Sequence, residues 1–125
     1  MFEIGITDEF EAAHSLTGDF GPAARIHGHT YRVEVRLEGR ELDHSGALFD
    51  IGKLREALKT VLDKMHYRNL NDLPELDGIN TTAEAVARQI FIELAPAVRN
   101  TRLACMKVTV WESSSAFASY RETFE

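Results

Sequence analysis

Three histidines with metal-ligand chemistry lie close together in the chain. His14 ends one alternating segment, and His27 and His29 flank Gly28 just before the next one. If the two segments pair as a hairpin, the end of the first lies beside the start of the second, so the three imidazoles converge. Residues two apart in extended backbone point to the same side, and Gly28 adds no side chain that would crowd an ion.

Three histidine nitrogens leave the fourth tetrahedral position of a zinc ion open, which is the arrangement of catalytic zinc sites. No carboxylate accompanies the set, which favours zinc over the iron of sites with two histidines and one carboxylate. We therefore predict zinc at His14, His27 and His29. Two alternatives remain open: a lone histidine on a sheet is more often a core or surface residue, and a site with poor outer hydrogen bonds binds zinc weakly.

Alternating hydrophobicity predicts the strands that carry these histidines. Apolar and polar residues alternate from Phe2 to His14, with room for a bulge after Asp8. The stretch 15–26 contains two glycines and a proline, which is typical of a loop. Alternation is regular from Thr30 to Glu38, which predicts a half-buried strand. Two further strands are predicted over residues 106–110 and 116–123.

Two amphipathic helices are predicted between the second and third strands. Asp50 is a good N-cap for a helix that begins near Ile51 and ends near Lys64. Thr81 and Glu84 have capping-box spacing at the start of the second helix. The order is therefore strand, strand, helix, helix, strand, strand. It favours an α+β fold in which both helices pack on one face of a four-stranded antiparallel sheet.

Composition and charge exclude several classes of protein. The chain has 125 residues, 44% of them hydrophobic, so we expect one domain over residues 1–125 with its own core. A net charge of −6 without a basic stripe disfavours nucleic acid as a partner. The single cysteine, Cys105, excludes an internal disulfide and a cysteine-based zinc cluster. No apolar run could span a bilayer and the first residues are acidic, so we expect a cytoplasmic protein with no membrane partner.

Several motifs occur in an order that resembles one known family. FEAAH at residues 10–14 and IHGH at residues 26–29 carry the three histidines. LND at residues 70–72, NTTAE at residues 80–84 and WESSSAF at residues 111–117 follow. Together they resemble the motifs of the 6-pyruvoyltetrahydropterin synthase and 6-carboxytetrahydropterin synthase family over nearly the whole chain.

The resemblance implies a tunnelling fold, in which subunits join into a barrel. The usual assembly is a homohexamer of two stacked trimers, with sites between subunits. It also implies that a zinc ion on His14, His27 and His29 binds and acidifies the side-chain hydroxyls of a pterin substrate. The implied substrate is 7,8-dihydroneopterin triphosphate.

Other residues of the ligand site follow from the same resemblance. Glu112 matches the glutamate that anchors the pterin ring, since a carboxylate accepts two parallel N–H bonds. Thr81 and Thr82 match a segment that implies further substrate contacts, and Arg25 is a candidate for the phosphates. The alternative for Glu112 and Arg25 is an ordinary solvated surface position.

Three positions differ from the family's motifs. Ala23 stands where the synthases have a proton-transferring cysteine, and His66 and Tyr67 stand where they have an Asp-His pair. Groups that act as a unit lose most of their effect when one member is lost. We therefore keep two hypotheses. One is a zinc-dependent lyase of a pterin side chain, altered or weakened, with His66 or Tyr67 and zinc-bound water as acid and base. The other is a catalytically inactive protein that binds a pterin-like or purine-like ligand.

Overall fold

A computed structural model describes residues 1–100 and 102–124. The strands are β1 (Phe2–His14), β2 (His27–Gly39), β3 (Arg68–Asn69), β4 (Leu103–Ser113) and β5 (Ala116–Thr123). The helices are α1 (Ile51–Asp63) and α2 (Ala83–Val98), with short 3₁₀ turns at Gly21–Ala24, Leu70–Asp72 and Pro74–Leu76. No helix in the described ranges is long and apolar enough to cross a membrane.

The strands form one sheet in the order β3-β1-β2-β4-β5. The four long strands pair antiparallel and their predicted order with the helices is confirmed. The predicted count of four is short by one, because β3 pairs in parallel with Ala12 and Ala13 of β1. A strand of two residues is too short to show the alternation from which strands are predicted.

No bulge occurs after Asp8, where the sequence leaves room for one. The register between β1 and β2 is unbroken along both strands. The apolar parity continues on both sides of Asp8, so pairing needs no extra residue there. The register shifts lie instead between Glu38 and Gly39 and between Trp111 and Ser113.

Both helices cover one face of the sheet. The predicted alternation along β2 is confirmed, since Tyr31, Val33, Val35 and Leu37 are all fully buried. They belong to one apolar cluster with residues of both helices, and each buried aliphatic side chain contributes about 2 kcal/mol of hydrophobic stabilisation. His27 and His29 continue the same parity towards the start of β2. Their side chains therefore lie on the helix-covered face of the sheet.

The helix starts agree with the sequence in one case and differ in the other. Asp50 caps α1, its side chain accepting a hydrogen bond from the backbone N–H of Lys53 at 3.2 Å. The predicted cap of α2 is wrong by one residue. Thr82, rather than Thr81, is the N-cap, and its side chain accepts from the backbone N–H of Ala85 at 3.2 Å. Thr81 is fully buried, and its carbonyl, which an N-cap residue directs into the helix, binds the ring of His14 instead.

Candidate functional site

The structure brings the three predicted histidines together at the open end of the β1–β2 hairpin. His14 lies directly opposite His27 in the register, and His29 follows two residues later on the same face. The ring centroids are 4.5 Å apart for His14 and His27, 5.1 Å for His14 and His29, and 4.9 Å for His27 and His29. One nitrogen from each ring lies within 4.8 Å of the others.

Hydrogen bonds to backbone carbonyls orient two of the rings. The Nδ1 atom of His14 lies 2.8 Å from the carbonyl oxygen of Thr81, and that of His27 lies 2.7 Å from the carbonyl oxygen of Arg25. A carbonyl only accepts, so Nδ1 carries the proton in both rings and Nε2 keeps its lone pair. This is the outer arrangement by which proteins orient metal-binding histidines.

The remaining ring nitrogens provide the test of whether a metal fits. The Nε2 atoms of His14 and His29 are buried and have no hydrogen-bond partner among the described residues. Burial also lowers the pKa of His14 below its usual value of 6.5, which favours the neutral ring that a metal requires. Unpaired lone pairs in a buried cluster are costly unless something binds them. The donor set fits a zinc ion with three nitrogen ligands.

Two further polar side chains lie on the same face, beside the histidines. The hydroxyl of Tyr31 is buried without a hydrogen-bond partner among the described residues, and its ring centroid lies 5.2 Å from that of His29. Burial, followed by the negative charge of Glu112, raises the pKa of Tyr31, so its phenol stays protonated. The charge of Glu112 also acts on His14. Glu112 is half-buried, and no salt bridge neutralises it among the described residues.

A cavity of about 510 Å³ opens beside Glu112. Its walls come from the loop after β1, the start of α2, the end of β4 and the start of β5, and include Leu16, Phe20, Thr82 and Phe117. The cavity therefore combines the half-buried carboxylate of Glu112 and the exposed carboxylate of Glu84 with apolar and aromatic walls. Small-molecule sites have this composition.

The two threonines of the sequence analysis have different surroundings. Thr82 lines the cavity beside Glu112. Thr81 is fully buried, and its carbonyl oxygen binds His14. Arg25 likewise contributes its carbonyl oxygen, to His27, while its side chain is exposed. Thr81 and Arg25 thus orient the rings of His14 and His27 through their backbone carbonyls, independently of their side chains.

His66 and Tyr67 lie at the outer edge of β1, and Tyr67 lines a cavity of about 550 Å³ together with His29. The Nδ1 atom of His66 accepts a hydrogen bond from the backbone N–H of Glu11 at 3.0 Å. Tyr67 is 77% exposed, and its backbone adopts a left-handed φ of 57°, which is unusual for a residue of this size. Among the described residues, no hydrogen bond or ring contact joins either side chain to the histidine cluster.

Tyr31 is the site residue that sequence reasoning did not assign to the site. The signal was available, because Tyr31 has the same parity as His27 and His29 and follows them on one strand. The alternation alone predicts only that Tyr31 is buried. Its position two residues after His29 is the further signal, since a buried phenol hydroxyl needs a partner.

Comparison with known proteins agrees with the fold and the motifs. Residues 3–123 match the sequence model of the family described as 6-pyruvoyl tetrahydropterin synthase. A 6-pyruvoyl tetrahydrobiopterin synthase of Dictyostelium discoideum is 33% identical, over 90% of each chain. A 6-carboxy-5,6,7,8-tetrahydropterin synthase of Haemophilus influenzae is 31% identical, over 98% of this chain and 100% of the relative.

A solved structure shows the same fold. The 6-pyruvoyl tetrahydropterin synthase of Caenorhabditis elegans superposes with a TM-score of 0.86 at 30% identity, over 97% of this chain and 95% of that one. The match runs through both helices and the long strands that carry the histidine cluster. This chain belongs to the 6-pyruvoyl tetrahydropterin synthase family.

Proposed function

We propose that the protein binds a dihydropterin such as 7,8-dihydroneopterin triphosphate and carries out a zinc-dependent lyase reaction on its side chain. One observation carries this proposal: the unpaired Nε2 atoms of His14 and His29 lie on the same face as the unneutralised carboxylate of Glu112. A ligand that fits both parts of the site needs oxygen atoms that bind the zinc ion at one end. At the other end it needs N–H groups that donate hydrogen bonds to Glu112. A hydroxylated pterin has this chemistry.

The residues of the site have distinct roles in this proposal. A bound zinc ion supplies Lewis acidity to the substrate hydroxyls. Glu112 accepts two N–H bonds from the amino-pyrimidinone edge of the ring, which fixes its orientation. Thr82 contacts the same ligand from the start of α2, and Arg25 approaches the phosphates.

The chain offers few side chains that could act as acid or base in proton transfer. Ala23 has a methyl side chain and cannot transfer a proton. His66 and Tyr67 are the candidate acid and base. Tyr67 lines one cavity together with His29, at the outer edge of β1. We propose that a second copy completes this site. In His66 only Nε2 is available for this task, because Nδ1 accepts the N–H of Glu11.

The sheet edges support an assembly of several copies, for which we propose a homohexamer of two trimers. In the described residues β5 pairs only with β4, and β1 is covered on its outer edge only at Ala12 and Ala13. Such open edges are templates for pairing with another chain. Light scattering should give the mass of six chains, and the mass of one chain would contradict the assembly.

The alternative function is a catalytically inactive protein that binds a pterin-like or purine-like ligand. Ala23 favours it, because the chain has no acid–base side chain at that position. The three convergent histidines favour the lyase, because a binding protein has less need of a metal with an open position.

Mass spectrometry of zinc-loaded protein incubated with 7,8-dihydroneopterin triphosphate distinguishes the two functions. We expect loss of triphosphate or shortening of the side chain. This turnover should disappear in Glu112→Gln and persist in Glu56→Gln, which alters an exposed glutamate on α1. Unchanged substrate that co-purifies with the wild type would establish the binding protein. A wild-type protein that shows no turnover of the substrate and no binding of it would overturn the proposed function.

A further inference from the structure

Two asparagine side chains hold the backbone just after His14. The Asn71 side chain accepts from the N–H of Ser15 at 2.9 Å and donates to its carbonyl at 3.0 Å. The Asn80 side chain likewise accepts from the N–H of Thr17 and donates to its carbonyl, with both distances at 3.0 Å. Each amide therefore binds both backbone polar groups of one residue.

These bonds replace a missing strand neighbour. The pairing of β1 with β2 ends at His14, so Ser15 and Thr17 have no ladder partner on β2. The two amides supply hydrogen bonds to the backbone of Ser15 and Thr17, beyond the end of the strand. We name this pair of interactions the amide clamps.

The amide clamps also connect the segments that orient His14. Thr81, whose carbonyl binds the His14 ring, directly follows Asn80. The Oγ1 atom of Thr81 lies 3.4 Å from both the Asn71 side-chain oxygen and the Ser15 carbonyl. A shift of the loop relative to residues 80–81 would therefore change the distance from Nδ1 of His14 to its acceptor.

We propose that Asn71 and Asn80 are positioning residues for His14: the amide clamps fix its ring so that Nε2 faces the other two histidines. The inference rests on the proposed metal centre. It adds two residues whose side chains touch neither the ion nor the ligand. Outer partners of this kind are worth roughly 10–100-fold in metal affinity.

The test compares Asn71→Ala and Asn80→Ala with Asn100→Ala. Asn100 is a matched control, because its side-chain oxygen accepts two backbone N–H bonds, from Arg102 at 2.8 Å and Leu103 at 3.1 Å, at the start of β4. Zinc affinity is measured by competition with a chromophoric chelator. Unfolding of the metal-free proteins by urea measures the purely structural cost of each substitution.

We expect Asn71→Ala and Asn80→Ala to weaken zinc binding about tenfold or more, and Asn100→Ala to leave it unchanged. In the metal-free proteins, the amide protons of Ser15 and Thr17 and the Nδ1 proton of His14 should exchange faster only in the first two variants. A zinc affinity equal to that of Asn100→Ala would overturn the inference.

The exchange measurement separates this inference from the proposed metal centre. If the wild type binds no zinc, the metal centre fails and exchange alone decides the positioning role. Faster exchange of the His14 Nδ1 proton in both clamp variants would then support it. Unchanged exchange would overturn it.

Discussion

The Nδ1 atom of His14 and the carbonyl oxygen of Thr81 lie 2.8 Å apart, which joins the end of β1 to the residue before the N-cap of α2. The bond selects the tautomer of His14 and leaves its Nε2 atom free on the helix-covered face. Because the acceptor is a backbone atom, substitution of the Thr81 side chain does not remove it. The orientation of the ring therefore depends on where the start of α2 lies relative to the sheet.

Removal of one histidine should abolish metal retention. We expect His27→Ala to weaken zinc binding more than 100-fold. Loss of a residue that only hydrogen-bonds to a metal ligand lowers metal affinity by roughly 10–100-fold. His44→Ala is the control, since His44 is exposed in the loop before α1. Elemental analysis after dialysis should find zinc in the wild type and the control only. Equal zinc in all three proteins would place the ion elsewhere.

Removal of the Tyr31 hydroxyl should not destabilise the fold. The hydroxyl is buried without a partner, and an unsatisfied buried group costs about 1–3 kcal/mol. We expect Tyr31→Phe to raise the free energy of unfolding of the ligand-free protein by about 1 kcal/mol. Tyr120→Phe, which removes a hydrogen bond to Glu122, is the comparison and should show no gain. Urea unfolding measures both, and a loss of stability in Tyr31→Phe would show that the hydroxyl has a partner in solution.

The cap of α2 can be tested at Thr82. Thr82→Ala removes the acceptor for the N–H of Ala85 and should cost about 1 kcal/mol of stability in the ligand-free protein. Thr60→Ala is the matched control within α1. Its hydroxyl donates back to the carbonyl of Glu56, a mid-helix bond that contributes little. Equal unfolding free energies for both variants would contradict the assignment of the cap.

Asp43 should contribute stability that depends on pH. Hydrogen bonds from the backbone N–H groups of Ala47 and Ser45 lower the pKa of this carboxyl below its usual value of 3.8. The contribution is therefore complete above pH 3.8 and is lost as the pH falls through the lower folded-state value. Asp43→Ala should be less stable than the wild type at pH 7, and the difference should shrink below pH 3.8.

Thermal unfolding across this range measures the effect. Asp77→Ala serves as the control, because no hydrogen bond to the Asp77 side chain occurs in the described part of the chain. Its difference from the wild type should be smaller at pH 7 than that of Asp43→Ala. A difference for Asp43→Ala that is constant between pH 7 and pH 3 would refute the role of the charged carboxylate.

Much of the fold could be predicted because it depends on patterns within single elements. The parity of β2 predicts its buried face, and Asp50 before an apolar stripe predicts the start of α1. The convergence of the three histidines follows from one hairpin, since antiparallel pairing places the end of the first strand beside the start of the second.

Other features depend on contacts between distant segments, and the sequence pattern does not carry them. The pairing of Arg68 and Asn69 with β1 is set by where α1 ends in space. The choice of Thr82 over Thr81 as cap arises because His14, far away in sequence, binds the carbonyl of Thr81. The position of His66 against the N–H of Glu11 is likewise a tertiary contact.

The location of all three histidines within residues 14–29 also bears on the order of folding. The β1–β2 hairpin closes a loop over residues 15–26, whereas the pairing of Arg32 in β2 with Trp111 in β4 closes a much longer segment that contains both helices. Closure over a longer segment costs more chain entropy, so the hairpin can form first. In that order of folding, the three ring nitrogens converge before the carbonyl of Thr81 lies against His14. Zinc present during refolding is expected to bind the early hairpin and to accelerate formation of the remaining sheet.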